Sequence, residues 1–228
     1  MIVSAGQPYF APFPGFFYKA FLSDVTVILD SVQFPLGTTW ISRNRFKNSR
    51  GTLWMTVPVW KKGLGLQKIG EVRICYDFGW TRKHLASLRV AYANSPYFAD
   101  HLPFIEELFS GTFEKLTDLN LKIMRYILDQ LQIPAKLVLL SELGVEATGG
   151  LLPVEICRKL GSRRFAAQYS ARKYLDQDLF HESGIELEYF KPPSPVYPQL
   201  WGEFIRDLSV LDLLFNCGPK AKEMLIGK

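Results

Sequence analysis

Nothing in this chain restricts its fold more than its first thirty residues. Residues 1–5, MIVSA, form a short apolar run suited to a buried strand. The stretch from Gln7 to Gly15 is punctuated by Pro8, Pro12, Pro14 and Gly15, so a helix begins only after Gly15. FFYKAFL then repeats apolar residues at helical spacing, Ser23 and Asp24 close it, and VTVILD is a β-branched run that suits a second buried strand. Strand, helix and strand in so short a span make a β-α-β unit, which calls for a parallel sheet and predicts an α/β fold.

Further along, residues 52–60 (TLWMTVPVW) and 67–75 (QKIGEVRIC) alternate as strands do, and the turn KKGLG between them predicts a hairpin. The pattern then becomes helical, with helices expected near 81–93, 97–109 and 113–132. A strand at 136–141, a helix at 152–160 stopped by Gly161, and a strand at 164–168 follow. A helix at 175–182, a strand at 185–190 and a last helix from 208 to 215, behind the segment KPPSPVYPQ, complete the chain. The 228 residues suffice for one large core, so a single domain is expected, with an α/β core from about 1–80 and 134–228 and a helical segment at about 81–133.

Composition removes several classes. With 48% apolar and 21% charged residues the chain is neither disordered nor collagen-like nor a coiled coil. Cys75, Cys157 and Cys217 are far apart, which argues against a zinc site or a disulfide framework and for a reducing compartment. The opening MIVSAGQPYFAPF has no signal-peptide pattern, and no run approaches eighteen apolar residues, so a cytoplasmic location without a membrane span is expected. A net charge of +5 and a pI near 9.0 suit a phosphate-bearing partner. The basic residues fall in short groups rather than one tract, which favours a small molecule over nucleic acid. Nothing in the pattern sets an oligomeric state.

Three segments carry chemistry. The loop Gln7 to Gly15 offers backbone amides and a helix N-terminus to an anion, making Gln7, Pro8, Tyr9 and Gly15 candidate cofactor-binding residues; prolines that merely shape a tight connection are the other reading. In QFPLGTTWISRNRFK, the alternating Arg43, Arg45 and Lys47 would share one face of an extended stretch, where they can grip phosphate or carboxylate. Gln33, Arg43, Asn44 and Lys47 are the candidate substrate-binding residues, against the alternative of a solvated basic loop. The third is QYSARKYLD, where Ser170 would join the cofactor and Arg172 and Lys173 would stabilise charge on a phosphoryl oxygen, unless they serve only capping and solvation. His84, His101 and His181 lack metal-ligand spacing, so no metal site is expected, and His84 alone is a candidate acid or base. There is neither a G-x-S-x-G elbow nor a Walker loop.

These segments resemble the WbqC-like family, a bacterial group associated with O-antigen and other surface-glycan gene clusters. The likeness runs nearly the whole chain, through QPYFAPFPGFFYK, SDVTVILDSVQF, SRNRFK, WTRKHL, the DLN at 118–120, the YLD at 174–176, HESGIELEY, PVYPQLWGEFI and LSVLDLLFNCGP. It implies glycine, aminoacyl or acyl transfer to an amino sugar or nucleotide sugar in surface-polysaccharide biosynthesis. A non-catalytic protein that binds a nucleotide sugar or a partner is the alternative. Two positions depart from the family pattern: Gly6 stands where a histidine is frequent, and QYSARK replaces a glycine-rich stretch. Residues 3–34 and 168–175 are also similar in order to the opening and late loops of pantothenate synthetase-like nucleotidyltransferases, although that superfamily's histidine signature is replaced by Pro12 to Gly15. That likeness implies a Rossmann-like, nucleotidyltransferase-like core, ATP with Mg, and activation of a carboxylate as an acyl-adenylate.

Overall fold

The structure, a computed structural model, describes residues 1–227. Strand β1 (Ile2–Gly6) runs into the proline loop, α1 (Pro14–Phe21) follows, and β2 (Val25–Ile28) pairs parallel to β1 with Val3 opposite Val25 and Gly6 opposite Ile28. The hairpin of β3 (Arg43–Asn48) and β4 (Gly51–Thr56) leads to α2 (Trp80–Tyr92), α3 (Phe98–Ser110) and α4 (Leu116–Gln130). The chain then returns to the sheet through β5 (Lys136–Leu139), α5 (Leu140–Leu143), α6 (Leu151–Leu160), β6 (Arg164–Gln168), α7 (Gln177–Glu182) and β7 (Glu186–Phe190). It ends in α8 (Val210–Cys217) and α9 (Ala221–Ile226).

Five strands form one parallel sheet in the order β5-β2-β1-β6-β7. The chain winds outward from β1 to β2 and β5, then restarts on the other flank of β1 with β6 and β7. The connections therefore diverge between β1 and β6, where the carboxyl ends of an open α/β sheet leave a crevice.

Strand alternation sorts the two faces. Val3, Val25, Val27, Phe165 and Ala167 pack with Val154 and Ile156 of α6 and Phe180 of α7. Ile28 belongs to the opposite, larger core, with Phe16, Phe17 and Ala20 of α1, the helices α2 to α4, and Phe46 and Met55 of the hairpin. Ser4 and Thr26 satisfy each other across the buried β1–β2 pair at 3.1 Å, so two hydroxyls cost the core little. Gly161 ends α6 at φ +66°, as its place in the sequence predicts. None of the described helices is long and apolar enough to cross a membrane.

Two expectations are corrected. α1 begins at Pro14 and takes in Gly15 rather than starting only after it, because a proline at the first helical position lacks only an amide the helix would leave unbonded. Residues 52–60 and 67–75 do not form the hairpin; they share one isolated bridge between Val59 and Ile74, and the Gln67 side chain donates to the Trp60 carbonyl at 3.1 Å. β4 pairs instead with the arginine-rich stretch before it, and Gly51 at φ +99° makes the tight turn. Pro58, which has no amide to donate, follows the end of β4. Residues 69–71 form a short 3-10 turn whose Ile69 and Gly70 amides bond to Val32 and Asp30 carbonyls after β2.

Candidate functional site

A cleft of about 1010 Å³ opens at the carboxyl edge of the sheet, between the ends of β1 and β6. Gly6, Gln7 and Tyr9 enter it from the first loop, Gly15 and Lys19 from α1, and Gln168 and Ser170 from the loop after β6. Trp40, Asn44 and Arg45 reach it from the hairpin side. Segments far apart in sequence thus meet where the topology leaves a gap.

The first loop is held rigidly by side chains from elsewhere. Buried Asn44 donates its Nδ2 protons to the carbonyls of Phe10 at 3.0 Å and Ala11 at 2.6 Å. Buried Asn120, from α4, does the same for Pro8 at 2.7 Å and Ile41 at 2.8 Å. The Phe10 amide bonds to the Trp40 carbonyl, and the Pro12 carbonyl accepts from Val210. Ala11, at φ +42°, is carried in an unfavourable backbone state by these neighbours. Pro14 opens α1 without a side-chain cap, and a Cβ on Gly15 would collide with the Phe13 ring and come within 3.1 Å of Pro192.

The charge balance of the cleft is cationic. Lys19 stands one helical turn after Gly15, on the same face, and helical side chains lean toward the N-terminus, so its ammonium returns to the cleft and donates to the Ala5 carbonyl at 2.6 Å. Burial brings this amine down to about 8. Arg45 donates from Nη2 to the carbonyls of Arg206 at 3.1 Å and Asp207 at 3.0 Å, while its buried Nε has no partner. Arg43 lies over the Trp54 ring at 3.6 Å, and its Nε is likewise buried and unpaired. Trp54 faces Trp40 at 5.6 Å between centroids, and each indole is 44% exposed, so the two make a solvent-facing aromatic shelf at the rim. Among the described residues the one carboxylate lining the cleft is Asp207.

Of the residues singled out from sequence, Gln7, Tyr9, Gly15, Asn44 and Ser170 line the cleft. Pro8 is buried behind it, and burial also pushes the Tyr9 hydroxyl up. Arg43 belongs to the rim shelf. Lys47 turns inward: buried, it donates to Gln199 Oε1 at 3.1 Å and the Glu203 carbonyl at 2.6 Å. Desolvation lowers its pKa, opposed by the nearby Asp212 charge. Arg172 and Lys173 are exposed on a 3-10 turn at 169–174, near the rings of Tyr169 and Tyr174 respectively, and do not line the cleft. Gln33 is exposed and bridges to Lys68. His84 packs against Trp80 and Phe109 outside the cleft, its Nε2 is 2.9 Å from the Thr56 carbonyl, and burial holds it below the usual imidazole range.

Sequence reasoning missed Lys19, Trp40 and Asn120. Lys19 had a readable signal: it is the one charged residue in α1, four positions after Gly15. Asn120 stood in the DLN motif but its role was not readable, and Trp40 gave no signal, because what they hold lies far away along the chain.

Against known proteins, a model of the WbqC-like protein family matches residues 7–224. The chain belongs to the WbqC-like protein family. Within it, "Uncharacterized protein Rv1507c" of Mycobacterium tuberculosis (strain ATCC 25618 / H37Rv) is 30% identical over 227 residues, covering 98% of this chain and 96% of that protein. No solved structure matches the chain.

Proposed function

We propose that this WbqC-like protein is a transferase or ATP-dependent ligase that forms an amide on an amino sugar or nucleotide sugar during surface-polysaccharide assembly. The observation that carries the reading is the cationic cleft at the divergence of β1 and β6, lined by a rigid loop, the start of α1 and Arg45. Such a place suits a nucleotide or another phosphate-bearing molecule. The chemistry needs no nucleophilic side chain. A carboxylate attacks the α-phosphorus of ATP, releasing pyrophosphate and leaving an acyl-adenylate; the amine then displaces AMP and forms the amide. Positioning and charge stabilisation do most of that work. The Trp40 and Trp54 shelf offers an apolar surface to a sugar ring, with Arg43 and Arg45 beside it for phosphate. Magnesium would be held chiefly by the phosphate oxygens, with Asp207 the available protein carboxylate.

The test is twofold. ATP or a nucleotide sugar should raise the melting temperature, since a ligand selective for the native state stabilises it. Pyrophosphate release should require a carboxylate, and its continued turnover, with AMP release and amide product, should require an amino sugar as well. Release that never depends on either substrate would remove the ligase. A second reading, a non-catalytic nucleotide-sugar binder, is favoured by one fact: Lys173, Arg172 and His84, the residues expected to do chemistry, all lie outside the cleft lining. It predicts the same thermal stabilisation with no turnover.

A further inference from the structure

Lys19 has no structural need of its charge. Of its three ammonium protons one goes to the Ala5 carbonyl at 2.6 Å, and its nearest aromatic neighbour is the Phe16 ring at 5.0 Å. Among the described residues no carboxylate forms an ion pair with it. The strand end beneath it is glycine, and a Cβ at Gly6 would collide with Nζ. The amine therefore occupies the space directly above the carboxyl end of β1, facing a cleft where two of its protons are free. A side chain that only plugged this gap would do better as methionine, which is of similar length and carries no charge to desolvate.

We propose that Lys19 Nζ is the anion-contacting group at the centre of the cleft, where its two free protons bind a phosphoryl or carboxylate oxygen of the ligand, and that ligand binding draws a proton onto this amine. The inference rests on the cleft being the ligand site of the proposed function. Because the amine sits near 8 in the free protein, it is largely neutral at pH 8.5, and binding an anion that needs the ammonium takes a proton up from the buffer. The groups that share the cleft are Tyr9, Tyr174, Arg45 and Asp207. Of the elements packed on α1, β1 carries no charge, and Arg164 of β6 is paired with Glu186 and Glu188 at the opposite end of that strand. From α9 come Lys222, bonded to the Gln132 carbonyl, and Glu223.

The experiment is calorimetric titration of the full chain at pH 8.5 with ATP and with UDP-N-acetylglucosamine, whose phosphates are fully ionised there, in two buffers of different ionisation enthalpy. Wild type should take up roughly half a proton or more per ligand bound. Lys19→Met should lose at least tenfold in affinity together with the uptake. Lys19→Arg should bind with no uptake, since its guanidinium is always charged. Gly6→Ala, which displaces the amine without replacing it, should weaken binding and supplies the test should Lys19→Met fail to fold. Wild-type binding with Lys19→Met or Gly6→Ala equal to it in affinity and proton count would overturn the role of Lys19 and leave the cleft as the ligand site. No binding of either ligand by wild type would overturn both.

Discussion

At Lys19, burial lowers the amine from 10.5 to about 8, so pH reads its effect on stability directly. The folded pKa lies below the unfolded one, so the favourable contribution is present above about 10.5 and is lost as pH falls through about 8. At neutral pH the charged amine burdens the fold. Lys19→Met should therefore be more stable at pH 7 by about 1 kcal/mol, and at most ~3, with a flatter stability profile between pH 8 and 10.5, as urea melts across pH will show. A less stable variant with an unchanged profile would contradict this. A variant that gains stability while losing ligand is the pattern of a residue kept for binding. Asp212 is the opposite case. Buried, it accepts from the Tyr92 hydroxyl at 2.7 Å and the Tyr197 hydroxyl at 2.8 Å, and Asn216 also donates to it. Burial raises its pKa, and those hydrogen bonds with nearby Lys47 oppose the rise. Asp212→Ala strands two buried hydroxyls and should cost about 3 kcal/mol in urea unfolding, with ligand affinity per folded molecule unchanged.

Among the elements, the first loop depends on two remote asparagines more than on its own prolines. Asn120→Ala would leave the Pro8 and Ile41 carbonyls without that donor. The expected cost is about 2–4 kcal/mol, with weaker ligand binding measured by calorimetry on the folded fraction. Unaltered affinity would mean the loop keeps its shape without the clamp. The DLN triplet was visible in the sequence as a motif, but its purpose was not, because its hydrogen bonds span 112 and 79 residues. The alternation of Arg43, Arg45 and Lys47 correctly signalled an extended strand. It could not show that the partner is the very next strand, or that Lys47 would turn from solvent into a buried polar network, since both follow from what packs over the hairpin.

For the whole molecule, the parallel sheet was legible because its central strands β1 and β2 are short apolar runs with a helix or breaker on either side, while β7 shows only the alternation of ELEYF. The opening β-α-β unit already fixed the direction of β1 and β2. Strand order was not legible: that β6 returns to the free flank of β1 is a property of how the faces pack, and it is this return that creates the cleft. Loops at strand ends could be named from sequence, but which of their side chains face inward could not, so Ser170 enters the cleft while Arg172 and Lys173, close by in the same turn, remain outside. The same geometry predicts that Arg172→Ala and Lys173→Ala will change ligand affinity little, less than threefold, whereas Arg45→Ala will weaken it at least tenfold, roughly the 1.4 kcal/mol expected for a charged contact. The most direct measurement of the central claim is hydrogen exchange by mass spectrometry with and without saturating ATP or UDP-N-acetylglucosamine. Slowed exchange confined to residues 6–19 and 166–171 and the Trp40 to Arg45 segment is the predicted result. Protection elsewhere, with those three segments unaltered, would contradict it.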